Sequence, residues 1–506
     1  MDSEKRIIVN TVLQYVKAII TTCLSLYSTR IILNALDVDD FGVYSVIAGV
    51  VAMLGFITNA LIITTQRFLS YYSSKKDTTQ LRKLFVNSLF IHVVFGLLIS
   101  LVLLLLKDVL FDSILNINSA RRPVAEIVYV ITIGMLLATI LTSPFKALFI
   151  AHEKIVFIAI VEIIDSVVKL LLAIGLAYVS FDRLLAYAWM MGLIVALNLI
   201  VFSAYALYRF PECQILFRRK DLSKTYIKMI TGFAGWTTYG MGCVAARNQG
   251  IAVVLNHFWG TAINAAYGIA YQINGAISFL VTSILNAMNP QLMQAEGKGD
   301  RKKMLDMAAR QSKFSVTILA VVIIPLIAEM PAILNIWLKE VPVQTDMFCR
   351  FILLAFLFDQ ITLGLSSANQ AIGNIRVFTL LTYTPKLIYV AIAWLMFKHG
   401  LSIRSVMVLY VVVELVVALA RIPYMHFKTG LSIWGYIRDV IVPTTLHCIV
   451  IGVICYVCTT YLHFHMRFLL TILFSALFGI AAGWLLVMNK EEKSFATILI
   501  KNFLKR

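Results

Sequence analysis

Apolar residues in this chain run in blocks of about twenty, separated by short polar stretches. A block of that length crosses about 30 Å of hydrocarbon as an α-helix. A spanning β-barrel would instead show ten-residue segments of alternating apolar and polar residues. Neither LVLLLLKDVL nor LLTILFSALFGIAAGWLLVM alternates. The pattern therefore predicts an all-α polytopic membrane protein with about fourteen transmembrane helices, at 7–33, 41–66, 84–106, 124–145, 156–180, 184–208, 229–256, 261–289, 314–335, 347–370, 377–398, 402–425, 440–461 and 467–489. The amino-terminal MDSEKR leads into the first block with no cleavage site of small residues, so that block is expected to be a retained span rather than a signal peptide.

The polar connections give an orientation. RFLSYYSSKKDTTQLRK, RFPECQILFRRKDLSKTYIK, GKGDRKKMLDMAARQSK and the tail KEEKSFATILIKNFLKR fall on one side. Roughly 30 basic residues lie there and about 10 on the other side, a bias that places both termini in the cytoplasm. The first external loop, LDVDDFG, is acidic, and the longest, KDVLFDSILNINSARRP, covers only residues 107 to 123.

Composition agrees with the membrane reading. Of 506 residues 60% are hydrophobic and 14% charged, and the mean hydropathy is +0.87. Soluble domains have about 45–50% apolar and about 25% charged residues. The net charge of +18 is accounted for by the cytoplasmic loops, and no basic stripe with interleaved aromatics points to a nucleic-acid partner. Cys455 and Cys458 lie one turn apart inside VICYVC and read as small hydrophobes, with no further ligands that would make a metal site. No cofactor is expected.

The chain also repeats itself. RIILNALDVDDFGVYSVIAGVV, from Arg30, resembles IAVVLNHFWGTAINAAYGIAYQI, from Ile251, with Leu33-Asn34 on Leu255-Asn256 and Tyr44 on Tyr267. The offset of about 220 residues equals six spans, which makes the halves parallel repeats, a recurrent transporter plan. The expected organisation is an N-lobe at 1–208, a basic cytoplasmic linker at 209–228, a C-lobe at 229–425, an extra helix pair at 440–489 and a basic cytoplasmic tail at 490–506.

Charges inside the spans are the candidate chemistry: Lys17, Glu162, Asp165, Lys169, Arg247, Glu329, Asp359, Lys386 and Glu414. A charge at the bilayer centre costs about 2.5–3.5 kcal/mol on insertion scales, so such residues face a bundle interior or a wet cavity. Arg247, flanked by Asn248 and Gln249, and Lys17 lie in the leading span of each repeat. Together they suggest a cavity of positive potential in which Arg247 offers phosphate a bidentate fork. The alternative is a structural pair with a buried carboxylate.

Glu162, Asp165 and Lys169 share a helical face and are expected to compensate one another, or else to take part in proton coupling or gating. Asp359 and Glu414 are lone carboxylates open to a coupling role. Lys386 follows Pro385 and marks either a gate or a plain kink. The stripe Asn264, Gly268, Tyr271, Gly275, Ser278 and Thr282 reads as a close helix-packing face or as a surface for sugar hydroxyls with Tyr271 stacked on a ring. No G-x-x-x-x-G-K-[ST], no H-E-x-x-H and no large external loop with paired carboxylates is found. Transport is expected rather than catalysis.

TRIILNALDVDDFGVYSVIAGV resembles the opening signature of bacterial polysaccharide-biosynthesis membrane proteins, the lipid-linked oligosaccharide flippases of the multidrug/oligosaccharidyl-lipid/polysaccharide (MOP) exporter superfamily. SPFKALFIAHEKIVFIAIVEIIDSVVKLL, the stretch from RNQGIAVVLNHFWG to NPQLMQAEGKGD, SKFSVTILAVVIIPLIAEMPAILNIWLKEVP and the A-x-G-N-I of Ala371 to Ile375 are similar to the same family, over about residues 5 to 425.

The resemblance implies two six-helix lobes in a V, as in MATE-like exporters, with a cavity edged by spans 1 and 7. It implies that undecaprenyl-diphosphate-linked glycan moves from the inner to the outer leaflet of the bacterial inner membrane, for O-antigen, capsule or exopolysaccharide assembly. Arg247, Lys17, Lys386, Asn248, Gln249 and Tyr271 would then meet the diphosphate or line the cavity. The bilayer is a partner by construction; H+ or Na+ coupling and contacts with other glycan-assembly proteins stay open. The rival within the superfamily is a multidrug and toxin cation antiporter, and the rival of another class is a membrane glycan polymerase or ligase.

Overall fold

A computed structural model describes residues 3–490 apart from 53, 76, 115–116, 118–119, 214–220, 339, 463 and 465, together with 492–494 and 497. Most of the expected tail 490–506, and the middle of the expected linker 209–228, lie outside the described residues. Every regular element described is helical. Among the described residues nine helices are long and apolar enough to cross a membrane, or ten if one bent pair counts as a single span. The expected spans at 7–33, 41–66, 156–180 and 229–256 are not in that set. Their described residues too are mostly helical, with a turn at Leu54, but they carry polar residues among the apolar ones. The protein is a multi-pass all-α membrane protein.

The chain divides into two compact units, one of Ile8–Met241 and one that joins the residues up to Ile7 with those from Gly242 on. The N-terminal unit holds α1 (Ser3–Ala52) from Ile8 on, α2 (Gly55–Ser73), α3 (Thr78–Leu105), α4 (Arg122–Ala151), α5 (Ile155–Leu176), α6 (Arg183–Arg209) and the start of α7 (Lys224–Gly297). Local chemistry sets the helix starts. The Asp77 carboxylate accepts from the Thr79 and Gln80 amides at 3.0 Å, and Asp182 accepts from Leu185 at 3.0 Å. The core gathers around α4, where fully buried Tyr129 donates to the Leu103 carbonyl at 2.8 Å.

One expectation is corrected here. The acidic stretch LDVDDFG is not a loop: α1 continues through it as far as Ala52. Arg121 pairs with Asp40 and, at 2.6 Å, with Asp182, so a cation from the start of α4 holds the stretch in place.

The C-terminal unit holds the rest of α7, then α8 (Arg301–Ala328), α9 (Met330–Trp337), α10 (Thr345–Gln360), α11 (Leu363–Ile372), α12 (Arg376–Lys398), α13 (Ile403–Thr429), α14 (Ile433–Tyr461) and α15 (Arg467–Val487). α7 is two helices joined at Gly260, whose φ of 82° and ψ of −177° only glycine adopts readily. Near the same register of the amino-terminal repeat, α1 runs on unbroken. The expected span at 347–370 is α10 and α11, bent by 47°. α14 and α15 lie against α8: Arg467 donates to both Glu329 oxygens at 3.0 and 2.9 Å, and Lys313 reaches Glu492 at 2.7 Å. Glu329, buried, also accepts from Thr471 at 2.8 Å.

α11 crosses α8 closely at Gly364. Its amide donates to Ser312 Oγ at 2.9 Å, and an added Cβ would sit 1.8 Å from the Ala308 carbonyl oxygen. Backbone on both sides cannot yield, so Gly364→Ala should cost at least about 1–3 kcal/mol by overpacking. The measurement is the melting midpoint in detergent, with Gly452→Ala, which meets no atom within 4 Å, as an unchanged control.

Candidate functional site

Charges from five places in the C-terminal unit meet in one buried ladder. Arg247 of α7 donates to one oxygen of Glu414 on α13, and Lys386 of α12 approaches the other at 2.7 Å. Lys386 also lies 3.6 Å from Asp359 at the end of α10, and Asp359 accepts from Arg421 of α13 at 2.7 Å. The order is Arg247, Glu414, Lys386, Asp359, Arg421, with signs alternating along it. The Arg247 and Glu414 side chains keep only 8% and 4% of their exposure. Each carboxylate thus serves two cations, which offsets part of the desolvation cost of all five groups.

The ladder is built onto the broken span. A bend between α10 and α11 leaves carbonyls without helical partners, and in hydrocarbon such groups must be satisfied by protein. Arg421 donates to the Asp359 carbonyl at 3.2 Å, and Tyr436 donates to the Ile361 carbonyl at 2.9 Å. Thr362 donates to the Ala418 carbonyl at 3.0 Å. Arg421 therefore does two jobs: it neutralises the Asp359 side chain and caps the Asp359 backbone.

Around Arg247 the polar shell is aromatic. Its guanidinium carbon lies 4.7 Å from the Tyr410 ring centroid, and its Nε donates to Asn248 Oδ1 at 3.2 Å. Tyr271 donates to the same Asn248 oxygen at 2.7 Å and stands 3.2 Å from the Tyr410 hydroxyl. Gln249 points to the exposed side, apart from this shell.

The N-terminal unit carries a looser set. Lys17 of α1 reaches Glu162 of α5 at 2.7 Å, and Lys146 of α4 reaches the other oxygen at 3.2 Å. One turn on, Asp165 holds Lys169 at 2.7 Å and accepts from Asn198 at 3.0 Å. Of Glu162, Asp165 and Lys169, the last two compensate each other, while the Glu162 charge is met from α1 and α4. The Lys169 side chain is 43% exposed and lines a cavity of about 480 Å³ with Thr21, Thr22, Ser25, Ser28, Ser166 and Tyr187. Thr21, Ser28 and Ser166 spend their protons on carbonyls one turn back, so they present lone pairs to the cavity.

Lys146, Arg421 and Tyr410 in these networks were not among the sequence candidates. Lys146 and Arg421 sit near the ends of their predicted spans, where a cation is unremarkable, and Tyr410 reads as an ordinary apolar-face residue. The stripe on the second half of α7, read as a packing face or as a surface for sugar hydroxyls, is open at several positions. Nothing lies within 4 Å of a Cβ built on Gly268 or Gly275, and Thr282 is exposed, so it is not a close packing face. The packed face is the one with Tyr267, Ala270, Ile277 and Val281.

Comparison with known proteins places the fold. No family model matches the chain. A MOP superfamily transporter from Pyrococcus furiosus, described with a binding pocket of reverse polarity, superposes with a TM-score of 0.72 at 14% identity, over 86% of this chain and 97% of that one. An outward-facing multidrug resistance MATE family transporter gives 0.72 at 14% identity, over 85% and 96%. A MATE in the bent conformation gives 0.74 at 14%, over 85% and 96%. In sequence, the uncharacterized membrane protein EpsK of Bacillus subtilis (strain 168) is 22% identical over 305 residues, 60% of this chain and 59% of that relative's length. The chain has the fold of MATE and MOP superfamily transporters.

The shared carboxylate makes a stability prediction. Glu414→Ala strands Arg247 and leaves Lys386 only its 3.6 Å contact with Asp359, and should cost about 3–5 kcal/mol, the usual effect of breaking a buried pair from one side. Arg247→Ala leaves Glu414 with Lys386 and should cost less. Thermal unfolding in detergent checks the order; equal losses would mean that Glu414 does not hold both cations.

Proposed function

We propose that this chain is a flippase that carries undecaprenyl-diphosphate-linked oligosaccharide from the inner to the outer leaflet of the bacterial inner membrane by alternating access. One observation carries the reading. Glu162, Asp165, Glu329, Asp359 and Glu414 are each held by cations, and seven cations serve these five carboxylates. An exporter of organic cations needs an acidic group free to meet its cargo, whereas a surplus of fixed positive charge attracts an anionic one. The diphosphate is such a cargo, and the transporter fold supplies the carrier.

Burial redistributes the roles expected of individual residues. Arg247 and Lys386 are committed to Glu414 and act as structural counter-charges. Lys169 is part-exposed in its cavity and its pair with Asp165 is part-solvated, so it can turn to phosphate at less cost than the buried ladder cations. Lys17 and Lys146 hold Glu162 beside it. The open stripe of Asn264, Gly268, Gly275 and Thr282 offers small, polar contacts suited to glycan hydroxyls. Both termini on the cytoplasmic side follow from the loop charges.

The second reading, export of organic cations, is favoured by the likeness to the multidrug resistance MATE family transporter. Reconstituted vesicles separate the two. Wild-type protein should move a fluorescent undecaprenyl-diphosphate-linked oligosaccharide across the bilayer, Lys169→Gln should slow this by about tenfold, roughly the worth of one charge-assisted contact, and neither should transport ethidium. Ethidium transport without glycan movement would reverse the assignment.

A further inference from the structure

A second cavity, of about 700 Å³, lies in the C-terminal unit apart from the charge ladder. Its walls include Trp259, Gln344, Asp346, Arg350, Phe351 and Arg404. The ladder cations are all paired, but Arg350 and Arg404 enter no ion pair among the described residues, and the Arg350 Nε is buried with no hydrogen-bond partner. A buried donor left without an acceptor is costly, and in native proteins it usually means an absent acceptor. Asp346 is the one carboxylate in the lining, which leaves the cavity with a net positive charge.

Backbone geometry singles out the same place. Gln344, at the start of α10, has a φ of 71°, and Gly260, next to Trp259, has a φ of 82°. Left-handed backbone of this kind costs about 1–3 kcal/mol at a non-glycine residue and collects at ligand sites. Here both positions adjoin one cavity. Trp259 is half-exposed at its edge, its ring 6.1 Å from that of Phe397, so an indole face stays available. Apolar and aromatic walls with a few convergent polar groups are the usual make-up of a small-molecule site.

We infer that this cavity binds an acidic saccharide, with its anionic group on Arg350 and Arg404, its ring against Trp259, and Asp346 and Gln344 accepting from or donating to its hydroxyls. The guanidinium forks match a carboxylate or phosphate bidentately, which the apolar walls cannot do for a neutral sugar. The inference rests on the glycan-export reading. In that orientation the 340–344 and 399–402 connections beside the cavity face away from the cytoplasm, where the cargo is delivered.

The test is saturation-transfer NMR on the purified full chain in detergent, with cellobiuronic acid, neutral cellobiose and inorganic phosphate as probes. Cellobiuronic acid should bind saturably and cellobiose about tenfold more weakly or not at all, the difference of one charge-assisted contact. Arg404→Gln, at an exposed position, and Arg350→Gln should each abolish the preference, and Trp259→Ala should weaken the acid while leaving the melting midpoint unchanged. Equal binding of the two disaccharides, full competition by phosphate at equal concentration, unchanged binding in both arginine variants, or no binding of any probe would overturn the inference. A protein that flips lipid-linked glycan but fails this assay loses only the cavity assignment. One that passes here and flips nothing loses the export reading instead.

Discussion

The pairing of Glu414 with Arg247 and Lys386 is the interaction on which the C-terminal unit depends. Hydrocarbon offers no water to an ion, so a helix carrying one must find its counter-charge on another helix. Glu414 does this for α7 and α12 at once, and Asp359 does it for α12 and α13. The helices are therefore cross-linked by charge at mid-span, and a bend that would otherwise expose carbonyls becomes tolerable because Arg421 is already there to donate to them. Charge pairing and the break in the α10–α11 span support each other.

The N-terminal unit solves the same problem less completely. Its pairs, Lys17 and Lys146 with Glu162 and Lys169 with Asp165, all retain exposure on at least one partner. Attraction between part-solvated ions is weaker, and so is the penalty for separating them. A cation that must release a carboxylate to meet an anion can do so at modest cost here and only at great cost in the buried ladder. The contrast explains why Lys169, rather than the more conspicuous Arg247, is assigned to the cargo.

Much of the fold was legible because membrane insertion reads length and apolarity, both local properties. All fourteen predicted segments are helical in the structure save for short breaks, including the bent span at 347–370. What stayed hidden was decided by partners far along the chain. The LDVDDFG stretch reads as a loop until Arg121 is seen 81 residues away, pairing with Asp40. Arg247 and Glu414 are 167 residues apart, so sequence alone favoured phosphate for the arginine and kept a structural carboxylate as the alternative. The α7 stripe was ambiguous for a related reason: small residues permit close packing but do not require it.

The helix pair α14–α15 fits the same logic. Arg467 takes both oxygens of Glu329, so this buried carboxylate of α8 finds its cation on the pair, and Glu492, just past the end of α15, takes Lys313 of α8. Glu329 separates α8 from α9, and without Arg467 and Thr471 it would be a bare charge at a helix break. The pair is thus part of the electrostatic closure of α8 rather than an appendage. Since α8 also carries Ala308 and Ser312 against Gly364 of α11, the support passes on to the broken span and from there to Asp359. The ladder is held at one end by charge and at the other by close packing, which leaves the N-terminal unit as the place where ion pairs can change partners.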